Sequence, residues 1–143
     1  MGNQQLLLVI LVTIMVAMAT MIAINLFGDN SKVSNRGAVK QDLFAGTNIA
    51  QTLYLKHELL GGAGRDFTKI EESILVSLMI PGKMNGGSQW ENENAVYVVE
   101  DVEANSMVIR GKPTTGEPDV IAFVSFDTQD NFWMVSVTDA NDE

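Results

Sequence analysis

The chain has 143 residues, which allows one ordinary domain, and it carries 9 basic residues against 18 acidic ones. It has no cysteine and one histidine, which excludes disulfides and cysteine chemistry and makes histidine-based metal or triad chemistry hard to assemble. Residues 29–69 carry a net charge of +2 and residues 70–143 carry −11, an acidic surface that repels phosphates and excludes nucleic-acid binding.

The first predicted element is the apolar segment Leu6–Phe27, a helix of 22 uncharged residues, of which sixteen are Leu, Ile, Val, Met or Phe. At about 1.5 Å per residue it is roughly 33 Å long, close to the hydrocarbon thickness of a bilayer. Exposing its large side chains to water would cost about 25 to 50 kcal/mol, more than the whole stability of a domain. We therefore expect it to lie in lipid, in a bundle of helices, or in each at different times. The residues predicted to form a membrane or filament-core helix are Leu6, Leu7, Val9, Ile10, Thr13, Ile14, Ala17, Thr20, Met21, Ile24 and Phe27.

A cleaved secretory signal is the alternative interpretation of the apolar segment. No Lys or Arg precedes the segment, and its 22 residues exceed the roughly 7 to 15 apolar residues of a typical signal. The pair Ala17 and Ala19 has the small side chains of a cleavage site, but the apolar residues Met21–Phe27 follow it. We therefore expect the segment to be retained.

Small side chains recur on one face of the apolar segment. Thr13, Ala17 and Thr20 are spaced by four and three residues, so they share a helical face. Small side chains let two helices approach closely in a bundle. Ala and Thr are common in any membrane helix, so this spacing leaves open whether the face contacts another helix.

A second, amphipathic helix is predicted after a polar joint at Gly28–Ser31. Apolar and small residues then recur at alternating spacings of four and three, the pattern of a single buried helical face. The cluster Gly61–Gly64 is predicted to end this helix, and His57 on the same face is interpreted as a half-buried packing residue. The residues predicted to pack this helix on the rest of the chain are Val39, Leu43, Gly46, Ala50, Leu53 and Leu60.

The remainder of the chain is predicted to be a short helix or strand followed by a sheet. Thr68 and Glu71 have the spacing of a capping box, although the run from Ile74 to Ile80 suits a buried strand equally well. Residues 82–94 are predicted to form a polar loop around Trp90. Turn residues separate four strongly β-forming segments, which predicts a four-stranded antiparallel meander. The predicted strands are Ala95–Glu103, Met107–Gly111, Val120–Phe126 and Phe132–Thr138.

No spacing among the titratable residues matches a catalytic or cofactor-binding motif. Asp127, Asp130 and Asn131 lack the pattern of an EF-hand loop, and so does the run Asp139–Glu143. They are interpreted as a hairpin turn and a solvated tail. Gly61–Gly64 precedes no Lys-Ser/Thr pair, which excludes a phosphate loop. We therefore expect no enzyme activity, no cofactor and no metal.

Taken together, these elements predict an α+β fold with a long N-terminal helix, apolar in its first half and amphipathic in its second, and a small C-terminal antiparallel sheet of four strands. We define residues 1–60 as the stem and residues 61–143 as the head. This order of elements resembles the type IV pilin class, which includes the pseudopilins of secretion machines and related archaeal filament proteins. The resemblance rests on the uncharged run MGNQQLLLVILVTIMVAMATMIAINLF, on its amphipathic continuation and on the final sheet. If Met1 is the mature end, Gln5 stands where the family has a Glu that contacts a neighbour's terminal amine, and the family's usual Pro is missing from the apolar segment.

The resemblance implies a structural subunit of an extracellular helical filament. In that family the apolar helices lie in the inner membrane before assembly and then form the filament core, with the heads outside. It therefore implies copies of the same chain, the membrane and an assembly machinery as partners, and a final location at the cell surface. The alternative is a single-pass, membrane-anchored accessory or binding protein that does not polymerise. Lys32, Arg36 and Lys40 favour that alternative, because positive charges beside a span tend to stay in the cytoplasm.

Overall fold

The computed structural model describes residues 2–141 of the chain, which form two helices and six strands. Two 3₁₀ turns, Glu58–Leu60 and Phe67–Lys69, connect the helices. Contacts between residues divide the chain into an N-terminal unit, up to Ser34, and a C-terminal unit, from Asn35 onward. The elements are α1 (Gly2–Leu55), α2 (Glu72–Met79), β1 (Lys83–Met84), β2 (Trp90–Glu91), β3 (Ala95–Glu100), β4 (Ser106–Pro113), β5 (Val120–Asp127) and β6 (Phe132–Asp139).

The described residues of the N-terminal unit are all helical. Its residues from Gly2 onward belong to α1, and the predicted joint at Gly28–Ser31 is helical as well. A single glycine in a helix costs about 1 kcal/mol relative to alanine, which weakens the helix without ending it. The apolar segment therefore lies inside one uninterrupted helical element.

The C-terminal unit has two layers, helices on one face of an antiparallel sheet. The strands follow one another in chain order, β1 to β6, and every neighbouring pair is antiparallel. Alternate residues of β3, β4 and β5 are buried, as a sheet covered on one face requires. The largest fully buried side chains of this core are Tyr54, Tyr97, Phe67, Leu43, Leu75, Met79, Ile80, Met107, Ile109, Val39, Val76 and Val99.

The meander contains six strands, so the prediction of four was wrong. The two additional strands, β1 and β2, have two residues each and lie in the segment predicted to be a loop. Trp90 of β2 pairs with Tyr97 of β3, and positive φ angles at Gly86 and Gly87 form the turn between β1 and β2. Strands this short have no periodicity to detect, which is why the sequence pattern missed them.

The second half of α1 ends earlier than predicted. It stops at Leu55, and the chain then turns through Lys56 and His57 before the first 3₁₀ turn. His57 is exposed, and its Nδ1 accepts a hydrogen bond of 3.2 Å from the N–H of Leu59. The interpretation of His57 as a half-buried packing residue was therefore wrong, because the residue caps a turn instead.

The run from Ile74 to Ile80, whose sequence suits a helix and a strand equally well, belongs to helix α2 up to Met79. Helix α2 begins after Glu71, which makes no side-chain capping hydrogen bond, so the capping box predicted for Thr68 and Glu71 is not formed. Asp66 caps the preceding 3₁₀ turn instead, accepting a hydrogen bond of 3.0 Å from the N–H of Thr68. The helix buries Leu75, Val76 and Met79, and Pro81 follows its end.

Two glycines allow close packing in the C-terminal unit. A Cβ placed on Gly111 of β4 would lie 2.9 Å from Cγ1 of Val39 and 3.1 Å from Cε1 of Tyr97. A Cβ placed on Gly46 of α1 would lie 3.3 Å from Cγ1 of Ile80. Larger side chains would hold these elements apart, so both glycines set the distance between helix and neighbouring chain.

Candidate assembly surface

The apolar segment presents its large side chains to the outside on every side of the helix. All sixteen are exposed, from 48% for Val12 and Ile14 to 75% for Phe27. A helix that is apolar all round belongs in a membrane or in the interior of an assembly. Eight residues of the predicted membrane or filament-core helix are among these exposed large side chains. They are Leu6, Leu7, Val9, Ile10, Ile14, Met21, Ile24 and Phe27.

The two threonines of the segment satisfy their hydroxyl groups within the helix. The Thr13 hydroxyl donates a hydrogen bond of 2.8 Å to the Ile10 carbonyl, and the Thr20 hydroxyl donates one of 2.8 Å to the Val16 carbonyl. An unsatisfied hydroxyl in hydrocarbon would cost several kcal/mol, on the order of 2 to 7. Thr13, Ala17 and Thr20 can therefore enter an apolar environment and still offer a face of small side chains to another helix.

The length and composition of α1 indicate membrane association. It is the one helix among residues 2–141 long and apolar enough to cross a membrane, with a mean hydropathy of 2.9 over its most apolar window and none of that window buried. Lipid removes the cost of exposing such side chains to water, as a bundle of similar helices also does.

The residues predicted to pack the second half of α1 lie on the inner face of that helix, with one exception. Val39, Leu43 and Ala50 are fully buried in the core of the C-terminal unit, and Leu53 is 7% exposed. Gly46 is buried as well. Leu60 departs from the pattern, because it lies beyond the end of α1 and is 69% exposed.

A polar cluster that the sequence pattern gave no reason to expect fixes α1 to the sheet. Asp42 of α1 accepts a hydrogen bond of 2.7 Å from the Tyr97 hydroxyl. The same carboxylate oxygen, Oδ2, accepts hydrogen bonds of 2.9 Å from the side-chain amides of Asn92 and Asn94. Asn35 donates a further hydrogen bond of 3.1 Å to the Asn94 carbonyl. These contacts join residues about fifty positions apart and define the register of the helix on the sheet.

An ion-pair cluster joins the same part of α1 to the end of β6. Arg36 contacts Asp139 through Nε at 2.9 Å and through Nη2 at 2.6 Å, and the Lys40 ammonium lies 3.0 Å from the same carboxylate. Burial acts to raise the pKa of Asp139, but the hydrogen bonds and charges of Lys40 and Arg36 outweigh it and lower the pKa below its usual value. The charges of Arg36 and Lys40 are thus neutralised in part by the sheet.

We expect the C-terminal unit to lose stability as pH rises above about 10, the ordinary pKa of tyrosine. Burial, the hydrogen bond to Asp42 and the charge of Asp42 raise the pKa of Tyr97 far above that value. The folded chain keeps the Tyr97 proton that the unfolded chain releases, so the free energy of unfolding falls by up to about 1.4 kcal/mol per pH unit.

Urea unfolding of the wild type and of Tyr97→Phe, followed between about pH 9 and 11, checks this expectation. The stability of the variant should decline less steeply with pH. Tyr54, whose pKa is raised by burial, and Lys69, whose pKa is raised by its hydrogen bond to Glu58, contribute to the decline that remains. Equal slopes in the two proteins would contradict the assignment to Tyr97.

The turn between β5 and β6 is a hairpin, as interpreted from the sequence. The Asp127 carboxylate accepts hydrogen bonds from the N–H groups of Gln129, at 2.8 Å, and Asp130, at 3.2 Å, and Asn131 has a positive φ of 51°. Within residues 2–141, no three His, Cys, Asp or Glu side chains are grouped as a metal ion requires. The interpretation of Asp139 as part of a solvated tail was wrong, because Asp139 is the last residue of β6, is 8% exposed and pairs with Arg36 and Lys40. Residues 142 and 143 of the predicted tail lie outside the described residues.

These features give the chain a pilin-like architecture, a long apolar N-terminal helix with a C-terminal antiparallel sheet. The exposed surface of the apolar segment is a helical surface that lipid hydrocarbon or other apolar helices can cover. Comparison with protein-family models, with curated proteins and with solved structures found no match to this chain.

Proposed function

We propose that this chain is a structural subunit of an extracellular, pilin-like helical filament and that it polymerises through its apolar segment. The observation that carries the proposal is the exposure of all sixteen large apolar side chains of that segment. Helices of neighbouring copies can cover these side chains in the filament, whereas lipid covers them only while the chain remains in a membrane. Residues 6–27 form the filament core in this proposal, and the acidic sheet domain forms the outside.

The partners in the proposed assembly follow from the same surface. Before assembly, each subunit lies in the inner membrane. An assembly machinery then extracts it, and the helices of further copies replace the lipid around its own helix. The face of Thr13, Ala17 and Thr20 supports close contact between copies, because its hydroxyl groups are satisfied within the helix. No nucleic acid takes part, since residues 70–143 carry a net charge of −11.

The second candidate function is that of a single-pass, membrane-anchored accessory or binding protein that does not polymerise. The basic residues Lys32, Arg36 and Lys40 favour it, because they would hold the C-terminal unit in the cytoplasm. Asp139 weakens this argument, because its carboxylate forms ion pairs with Arg36 and Lys40. We therefore rank the filament first.

Electron microscopy of material sheared from the surface of producing cells tests the proposal, with peptide mass spectrometry to identify the chain. Filaments that contain this chain with residues 6–27 retained are the expected result. Recovery of the protein only from detergent-extracted membranes would contradict the proposal and favour the anchored protein. Protease treatment of intact cells separates the two further, because a head protected in the cytoplasm cannot belong to a surface filament.

A further inference from the structure

Strand β6 forms one edge of the sheet, and no backbone hydrogen bond among the described residues joins its outer side to another segment. Strand β6 is last in the sheet order and has eight residues, whereas the strand at the opposite edge, β1, has two. Natural sheets protect their edges by short strands, prolines, bulges or charged side chains. The β1 edge is protected by its shortness, and β6 has no such protection.

The backbone groups that face this edge follow from the hydrogen bonds on the other side of β6. The Ala140 N–H donates to the Asp119 carbonyl at 2.9 Å, next to the pair Val120 and Asp139. In an antiparallel ladder the residues alternate between those that bond to the neighbouring strand and those that face away from it. The N–H and C=O groups that face away from β5 are therefore those of Trp133, Val135, Val137 and Asp139.

The side chains of β6 suit a strand partner. Residues 132–138 contain no charged residue and no proline. Phe132 is 58% exposed, Met134 is 48% exposed and Phe123 on the neighbouring strand is 36% exposed. An added strand would lie directly beside Phe132 and Met134 and would also pair the free backbone groups.

The charged residues at the two ends of β6 indicate which kind of strand can pair with it. Asp127, the last residue of β5, and Asp130, in the turn that follows, lie beside the beginning of β6, whereas Asp139 at its other end is paired with Arg36 and Lys40. Among the ion pairs of residues 2–141, none involves Asp127 or Asp130, so the beginning of β6 carries a net negative charge. A second copy is disfavoured as the occupant, because residues 70–143 of each copy carry a net charge of −11, so the two C-terminal units repel each other.

We propose that β6 is a docking edge for an extended peptide whose uncharged, strand-forming residues are followed by Lys or Arg at its C-terminal end. All strand pairs of the sheet are antiparallel, and an antiparallel peptide places its C-terminal end beside Asp127 and Asp130. The proposal is independent of polymerisation, because it concerns the C-terminal unit alone.

Fluorescence anisotropy with the full chain in phosphatidylcholine nanodiscs tests the proposal. The labelled probe is a capped peptide of alternating Thr and Val followed by Gly and two Lys, and its matched control carries the two Lys and the Gly at the N-terminal end instead. The first peptide should bind about two- to fivefold more tightly than the second, the effect of a few exposed charge pairs. Methylation of the alternate backbone nitrogens of the first peptide should weaken its binding by about tenfold or more. Empty nanodiscs give the background.

Matched variants of the chain locate the contact. Asp130→Asn should weaken binding of the first peptide by about two- to fivefold. Glu93→Gln removes the same charge from an exposed loop before β3 and should leave binding of this peptide unchanged. Equal binding of both peptides, or of the methylated one, would overturn the proposal. So would absence of peptide binding, and so would self-association of the chain through β6, which would assign the edge to a second copy.

Discussion

Replacement of Ala17 by Glu should abolish filament formation and leave the C-terminal unit folded. Ala17 lies near the middle of the apolar segment, on the face that carries Thr13 and Thr20. A carboxylate at the centre of a membrane helix costs about 2.5 to 3.5 kcal/mol. In a filament every copy would bring such a charge into the core, where close helix packing leaves no water to solvate it.

The same substitution should not prevent membrane insertion. The sixteen large apolar side chains of the segment favour insertion by about 5 to 10 kcal/mol at roughly 0.3 to 0.6 kcal/mol each, more than one carboxylate costs. The C-terminal unit is also unaffected, because its core begins at Val39 and includes no residue of the N-terminal unit. Loss of filaments with normal amounts of folded, membrane-bound protein therefore identifies a defect in assembly.

Electron microscopy of sheared material and fractionation of the cells measure this prediction together. Ala17→Ser is the matched control, because a serine hydroxyl can donate to a carbonyl of its own helix, as Thr13 and Thr20 do. Thr13→Lys should behave like Ala17→Glu. Normal filaments from either charged variant would refute the assignment of residues 6–27 to the filament core.

The helices were predictable because their signals are local. The apolar segment is recognised from composition alone, and the buried stripe of Val39, Leu43 and Ala50 follows from its spacing. The strands of the meander with six residues or more were located for the same reason. Strands β1 and β2 were not located, because a strand of two residues shows no alternation of buried and exposed positions. The pairing of β2 with β3 depends on contact between Trp90 and Tyr97, which are seven positions apart.

The polar contacts were not predictable, because they depend on which distant residues the fold brings together. In the sequence, Asp42 is one acidic residue of a helix. Only the fold brings the side chains of Tyr97, Asn92 and Asn94 to its carboxylate. The Arg36 and Asp139 pair spans about a hundred positions of sequence. An apolar face on a helix predicts that another apolar surface covers that face. It does not predict which strand provides the surface or which polar residues lie at its margin.

The largest effect on stability is expected for Leu43→Ala, in the second half of α1. Leu43 is fully buried in the core of the C-terminal unit. Truncation of a buried leucine costs about 2 to 5 kcal/mol, from lost burial and from the cavity that remains. A domain of this size has a total stability of about 5 to 15 kcal/mol, so the variant should lose a large part of it.

Phe44→Ala provides the matched control, because the neighbouring side chain is larger but 51% exposed. Its truncation should cost less than about 1 kcal/mol, which separates burial from side-chain size and from helix propensity. Urea unfolding of the full chain in detergent measures both variants, and equal losses would contradict the placement of Leu43 in the core. In cells, Leu43→Ala should lower the amount of protein through proteolysis of the unfolded unit, whereas Ala17→Glu lowers filaments at constant amount. The two variants together separate folding of the C-terminal unit from assembly through the apolar segment.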